Sequence, residues 1–102
     1  MGIQRILAGQ QYMTVYKAVK TEANDAARLA VPLAKGQPLP ANLVNQHTTS
    51  GTQSVPSVIL TPVAVTKANV KSTVIKDGFW TPAQVCTSAF ASACKAAGIA
   101  GS

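Results

Sequence analysis

The stretch QYMTVYKAVKTEAN, residues 11–24, runs a strand directly into a helix start. Tyr12, Thr14, Val15 and Tyr16 suit a pleated, packed surface, and the run is apolar or amphipathic on both faces. A strand covered on both faces belongs to a sheet sandwiched between helices, where strands run parallel. The run ends on Lys17. Thr21 follows as a candidate N-cap, with Glu22 and Asp25 in the first turn, where the helix dipole favours acids. In open α/β sheets ligands bind outside the carboxyl ends of strands, so a cation there is a candidate binding group. Its three ammonium donors suit hydroxyls or an anion. A lysine leaving a sheet for solvent looks the same in sequence, and the pattern alone favours that plainer reading.

Upstream, Ile3, Ile6 and Leu7 lie at helical spacing and stop at Gly9, which predicts the end of a helix over residues 2–8. Downstream, Ala23, Ala26, Ala27, Ala30 and Ala34 form a small-residue stripe that lets a helix approach a sheet, closed by Lys35 and Gly36. Pro32 removes a hydrogen bond and pushes on the Arg28 carbonyl, which predicts a kink or break. Residues 36–54 read as connection, with Leu43 and Val44 as a candidate short strand. Residues 55–60 and 63–66 read as two strands, because Pro62 cannot donate to a continuous ladder. A short helix over 67–73 follows. Thr81, Pro82 and Gln84 then make a helix start, with a cap, a proline at the first position and a glutamine three residues on. The order is α/β with a mostly parallel sheet.

With 102 residues the chain holds one domain at most, and 47% hydrophobic content marks it as globular. No run approaches the ~18 apolar residues of a membrane span, and no apolar leader follows Arg5. Nine basic residues against three acids give +6, but they are scattered singly and no aromatic platform lines a basic groove, which argues against a nucleic-acid partner. His47 stands alone in a Thr/Ser-rich segment, and the three acids form no pair. No catalytic residue, metal site or cofactor motif is therefore assigned. Cys86 and Cys94 read as small buried hydrophobes in a reducing compartment and as a disulfide in an exported protein. On one continuous helix they would stand ~12 Å apart, beyond the ~7 Å reach of a bridge. A disulfide thus requires the last helix to start after Cys86, with Thr87 or Ser88 as its cap.

GIQRILAGQQYMTVYKAVKTEANDAARLAVPLAKGQ (2–37) and VPSVILTPVAVTKANVKSTVIKDGF (55–79), at this spacing, resemble the C-terminal part of bacterial D-xylose-binding proteins. MTVYK, LTPV and TVIKDGF are specific when taken in this order. These are sugar-binding subunits of ABC importers with the two-lobed, type I periplasmic-binding-protein fold. The resemblance implies a monosaccharide ligand, an aldose of the xylose kind, with ABC permease subunits as partners and a periplasmic or extracellular envelope location. It implies that Lys17 faces the cleft and hydrogen-bonds the sugar, and that Thr61 and Pro62 form the last hinge crossing. Residues 1–17 would belong to the C-terminal lobe, 18–60 to the N-terminal lobe and 61–79 to the return, followed by a helical tail over 80–102. The family's other sugar contacts would lie upstream of Met1. Ala18 and Pro32 depart from the family pattern, the tail has no counterpart, and Trp80 does not match the family's stacking aromatic, which implies packing for it. The competing expectation is a small stand-alone basic α/β module that binds another macromolecule.

Overall fold

Ile3, Ile6 and Leu7 form the buried side of α1 (Gly2–Leu7), as their spacing requires. The computed structural model describes residues 1–99 and divides the chain into two compact units. One unit comprises Met1–Tyr16 and the chain from Pro62 onward; the other is Lys17–Thr61.

In the first unit β1 (Met13–Tyr16) pairs with β4 (Val63–Thr66), from Met13 opposite Thr66 to Tyr16 opposite Val63. Asn69 closes the far end of β4: its Oδ1 accepts from the Thr66 N–H (2.8 Å) and its Nδ2 donates to the Ala64 carbonyl (2.9 Å). Where a short helix was expected over 67–73, a wide π-type turn spans Lys71–Ile75. It buries Val74, beside the equally buried Val70 and Val65.

The tail completes this core. Thr81 and Gln84 make the reciprocal capping box at the start of α3, but α3 (Pro82–Val85) lasts only four residues. A 3₁₀ turn (Ser88–Phe90) and α4 (Ala91–Ala96) follow. Because the helix is interrupted, the Cα atoms of Cys86 and Cys94 come to 5.8 Å, and the two form a disulfide. Thr87 is the N-cap of the 3₁₀ turn. Val85, Cys94 and Ile99 are buried, and Gln4 of α1 donates its amide to the Val85 carbonyl (3.1 Å).

In the second unit α2 (Val19–Ala34) begins earlier than its sequence suggests. Ala18, not Thr21, is the N-cap, because the chain turns at once: the Val19 N–H bonds the Lys17 carbonyl (2.9 Å) and the Glu22 N–H bonds that of Ala18 (3.0 Å). Thr21 therefore lies inside the first turn. The break expected at Pro32 does not occur. Only two helical residues follow Pro32, and a Schellman closure holds them: Gly36 N–H to Leu33 O (3.1 Å) and Gln37 N–H to Pro32 O (2.9 Å).

The segment read as connection contains a hairpin instead. β2 (Gln46–Ser50) pairs with β3 (Gln53–Ser57) across a two-residue Gly51–Thr52 turn. Gly51 takes φ +60°, the conformation that a first-position glycine supplies in a type II′ turn. Leu43 and Val44 lie before the hairpin, outside any strand, and residues 58–60 follow it without strand structure. Asn45 nevertheless fastens them: its side-chain amide donates to the Ile59 carbonyl and accepts from the Ile59 N–H, both at 2.9 Å.

The α/β class stands, but both ladders among the described residues are antiparallel rather than parallel. The parallel expectation assumed a strand covered on both faces. Instead Val15 is 57% exposed while its neighbour Tyr16 is buried, so β1 is covered on one side only. Among the described residues all the buried apolar side chains lie in the first unit, and neither α2 nor the hairpin has a buried residue.

Candidate functional site

The end of β1 gathers the chain's most distinctive chemistry. Tyr16 and Val63 are the last pair of the β1–β4 ladder. The chain leaves the first unit after Tyr16, at Lys17, and re-enters it at Pro62, just before Val63. Both passages therefore begin and end at one end of one two-stranded ladder. Lys17, Thr61 and Pro62 are all exposed.

Tyr16 is only 7% exposed and is packed at its ring edge. Phe79 meets its ring edge-on, with centroids 5.4 Å apart and planes at 65°, and Trp80 meets Phe79 in turn at 5.7 Å and 90°. Burial raises the Tyr16 pKa above the ordinary phenol value, and the nearby negative charge of Asp77 raises it further, since each favours the neutral form.

Backbone geometry places this contact. Gly78 adopts φ +70°, reversing the chain after the π-type turn, so that Asp77 and Phe79 flank the reversal. A Cβ at Gly78 would meet nothing within 4 Å, so the requirement for glycine is conformational rather than steric. The Phe79 and Trp80 N–H groups both bond the carbonyl of buried Val74 (3.0 and 3.2 Å), and the Asp77 N–H bonds that of Thr73 (2.9 Å). Sequence pattern assigned no site role to Asp77 or Phe79. The Asp-Gly pair, a turn signal followed by an aromatic, was the cue available.

The other singled-out residues lie apart from this cluster. His47 is exposed on β2 opposite Pro56. Among the described residues no three His, Cys, Asp or Glu side chains come close enough together to hold a metal ion. The disulfide of Cys86 and Cys94 belongs to the tail. A cleft of about 520 Å³ also opens between α1 and the tail, lined by Leu7, Gln10, Lys67, Phe90 and Ser92 among others. No helix among the described residues is long and apolar enough to cross a membrane. Lys17, exposed where the chain leaves the first unit, carries three ammonium donors, a chemistry that suits hydroxyls.

No protein-family model matches the chain. Over 78 residues it is 51% identical to a D-xylose-binding periplasmic protein of Escherichia coli (strain K12), covering 76% of this chain and 23% of that protein. Over 79 residues it is 46% identical to the D-xylose-binding periplasmic protein of Haemophilus influenzae, covering 78% and 23%. In structure it is similar to a carbohydrate-transporter solute-binding protein from Chloroflexus aurantiacus solved with D-glucose. That match has a TM-score of 0.66 at 33% identity and covers 78% of this chain and 22% of that one. The chain thus spans about a quarter of the length of the relatives it matches. In sequence and in fold, about three-quarters of this chain is similar to a segment of periplasmic sugar-binding proteins, D-xylose-binding proteins among them.

Proposed function

We propose that this segment serves a monosaccharide-binding component of an ABC importer, that Lys17 is one of its sugar ligands, and that the passages at Lys17 and at Thr61–Pro62 are hinge crossings between lobes. The observation that carries the reading is the shared ladder end: Tyr16 pairs with Val63 where the chain passes between its two units. Two adjacent strands leaving a lobe side by side can flex together without disturbing the ladder behind them. In this reading the first unit belongs to the C-terminal lobe and the second to the N-terminal lobe, an assignment supported by the unit boundaries at Tyr16/Lys17 and Thr61/Pro62. The sugar is an aldose of the xylose kind, supported by relatives named for D-xylose binding. The location is periplasmic and the transport partners are ABC permease subunits, both following from that kinship. The role is binding rather than catalysis, since the relatives are named as binding proteins.

A charged hydrogen bond to a sugar hydroxyl is worth about 1.5–3 kcal/mol. In a protein that carries this segment together with the rest of the family's length, Lys17→Met should therefore weaken sugar affinity by at least about tenfold. Titration calorimetry with D-xylose checks it, and an unchanged affinity in a folded variant would remove Lys17 from the site.

A further inference from the structure

We infer that the tail is a redox-sensitive switch: bridged at Cys86–Cys94 it is broken into α3, a 3₁₀ turn and α4, and with both thiols free it becomes one amphipathic helix over residues 82–97. The sequence of this segment suits the unbroken form. No glycine or proline lies between Ala83 and Ala97, and alanine, the best helix former, recurs throughout. At ~100° per residue, Gln84, Thr87, Ser88, Ser92 and Lys95 would share one arc of ~140°, with Val85, Cys86, Phe90 and Cys94 outside it. Both ends of such a helix are already built. Thr81 and Gln84 form the capping box at its start. At its end the Gly98 N–H bonds the Lys95 carbonyl and the Ile99 N–H bonds that of Cys94, both at 3.0 Å, as in a Schellman closure.

The break between these ends has no local cause. Thr87 and Phe90, the N-caps of the 3₁₀ turn and of α4, make no side-chain capping bond, and among the described residues only glycines take a positive φ. What the break does serve is the bridge. The two Cα atoms stand 5.8 Å apart, whereas on one helix they would stand ~12 Å apart, beyond the reach of a disulfide. The bridge and the unbroken helix therefore exclude each other. A dithiol reductant moves the tail from one to the other: its two sulfurs close into a disulfide, while Cys86 and Cys94 each take up an electron and a proton as thiols. With Val85 held by the Gln4 amide (3.1 Å), the lengthening displaces α4. Ala89, Phe90, Ser92 and Ala93 line the cleft together with Leu7 and Lys67, so the cleft belongs to the bridged form.

The test uses this chain with and without dithiothreitol, read by Cα chemical shifts and amide exchange. Reduction should bring the shifts of residues 86–90 to helical values and move the amide signals of Leu7 and Lys67. Cys86→Ala combined with Cys94→Ala should do the same without reductant.

Ser88→Pro distinguishes a refolded tail from a loosened one. Ser88 opens the 3₁₀ turn behind an extended Thr87 (φ −63°, ψ 165°), a place where proline fits, whereas the interior of a continuous helix does not admit it. The bridged chain should accept Ser88→Pro with its other shifts unchanged, and reduction of that variant should give no helical gain. Unchanged shifts on reduction of the wild-type chain, or random-coil shifts at residues 86–90, would overturn the switch whether or not α1 stays protected. So would a helical gain that survives Ser88→Pro.

Discussion

Tyr16 shows how one side chain can carry both packing and electrostatics at a strand end. Its side chain is buried in the first unit, and both burial and the nearby negative charge of Asp77 favour the protonated phenol. The folded chain therefore binds that proton more tightly than the unfolded chain, whose tyrosines titrate near pH ~10. The resulting stabilisation is fully present below that value and is lost as pH rises through the higher folded value. Urea unfolding at pH ~8 and pH ~11 should show a larger alkaline loss for the wild type than for Tyr16→Phe, which has no proton to release. Parallel losses in the two proteins would mean that the phenol titrates alike in both states.

Among the elements, the tail is the one that carries the disulfide. Its helix is broken into α3, a 3₁₀ turn and α4, and that break lets Cys86 and Cys94 meet. The bridge closes a loop of sequence separation 8, and closing a loop of that size removes about 2.5 kcal/mol of unfolded-state entropy. It keeps Val85, Cys94 and Ile99 against α1, where Gln4 bonds the Val85 carbonyl. Replacing both cysteines by serine should lower the unfolding free energy of the first unit, read by urea titration, by that order and speed exchange across α1. Alkylation without reductant, read by mass spectrometry, should find no free thiol in protein recovered from an oxidising compartment. Identical melts for the double variant and the wild type would show that the tail adds nothing to the core.

For the molecule as a whole, the two units differ in what holds them. The first has a core drawn from α1, β1, β4, the π-type turn and the tail; the second has no buried side chain. A helix the length of α2, sixteen residues, is marginal in water without tertiary packing, and a two-stranded hairpin is no better. Val19, Val31 and Leu33 stand more than half exposed on α2. Hydrogen exchange on this chain alone should therefore protect amides of the first unit and leave α2 and the hairpin nearly free. Millimolar pentose should leave the melting temperature unchanged, because one lysine cannot surround a sugar with converging donors and acceptors. Uniform protection, or an upward shift in melting with pentose, would contradict this account.

The sequence by itself determined the features that depend on neighbours along the chain. The spacing of Ile3, Ile6 and Leu7 set the buried side of α1, the β-rich run set β1, Pro62 set the start of β4, and Thr81 with Gln84 set a helix start. The kinship was also legible, through MTVYK, LTPV and TVIKDGF. Local pattern misled where a competing local interaction won: the turn at Lys17 moved the α2 cap from Thr21 to Ala18, and Gly51 made a hairpin from residues that read as loop. Only the tertiary structure decided that β1 runs antiparallel to β4, because that direction depends on which distant partner is met. It alone placed Phe79 on Tyr16, far away along the chain, since no pattern in the sequence encodes which side chains a reversal at Gly78 brings together.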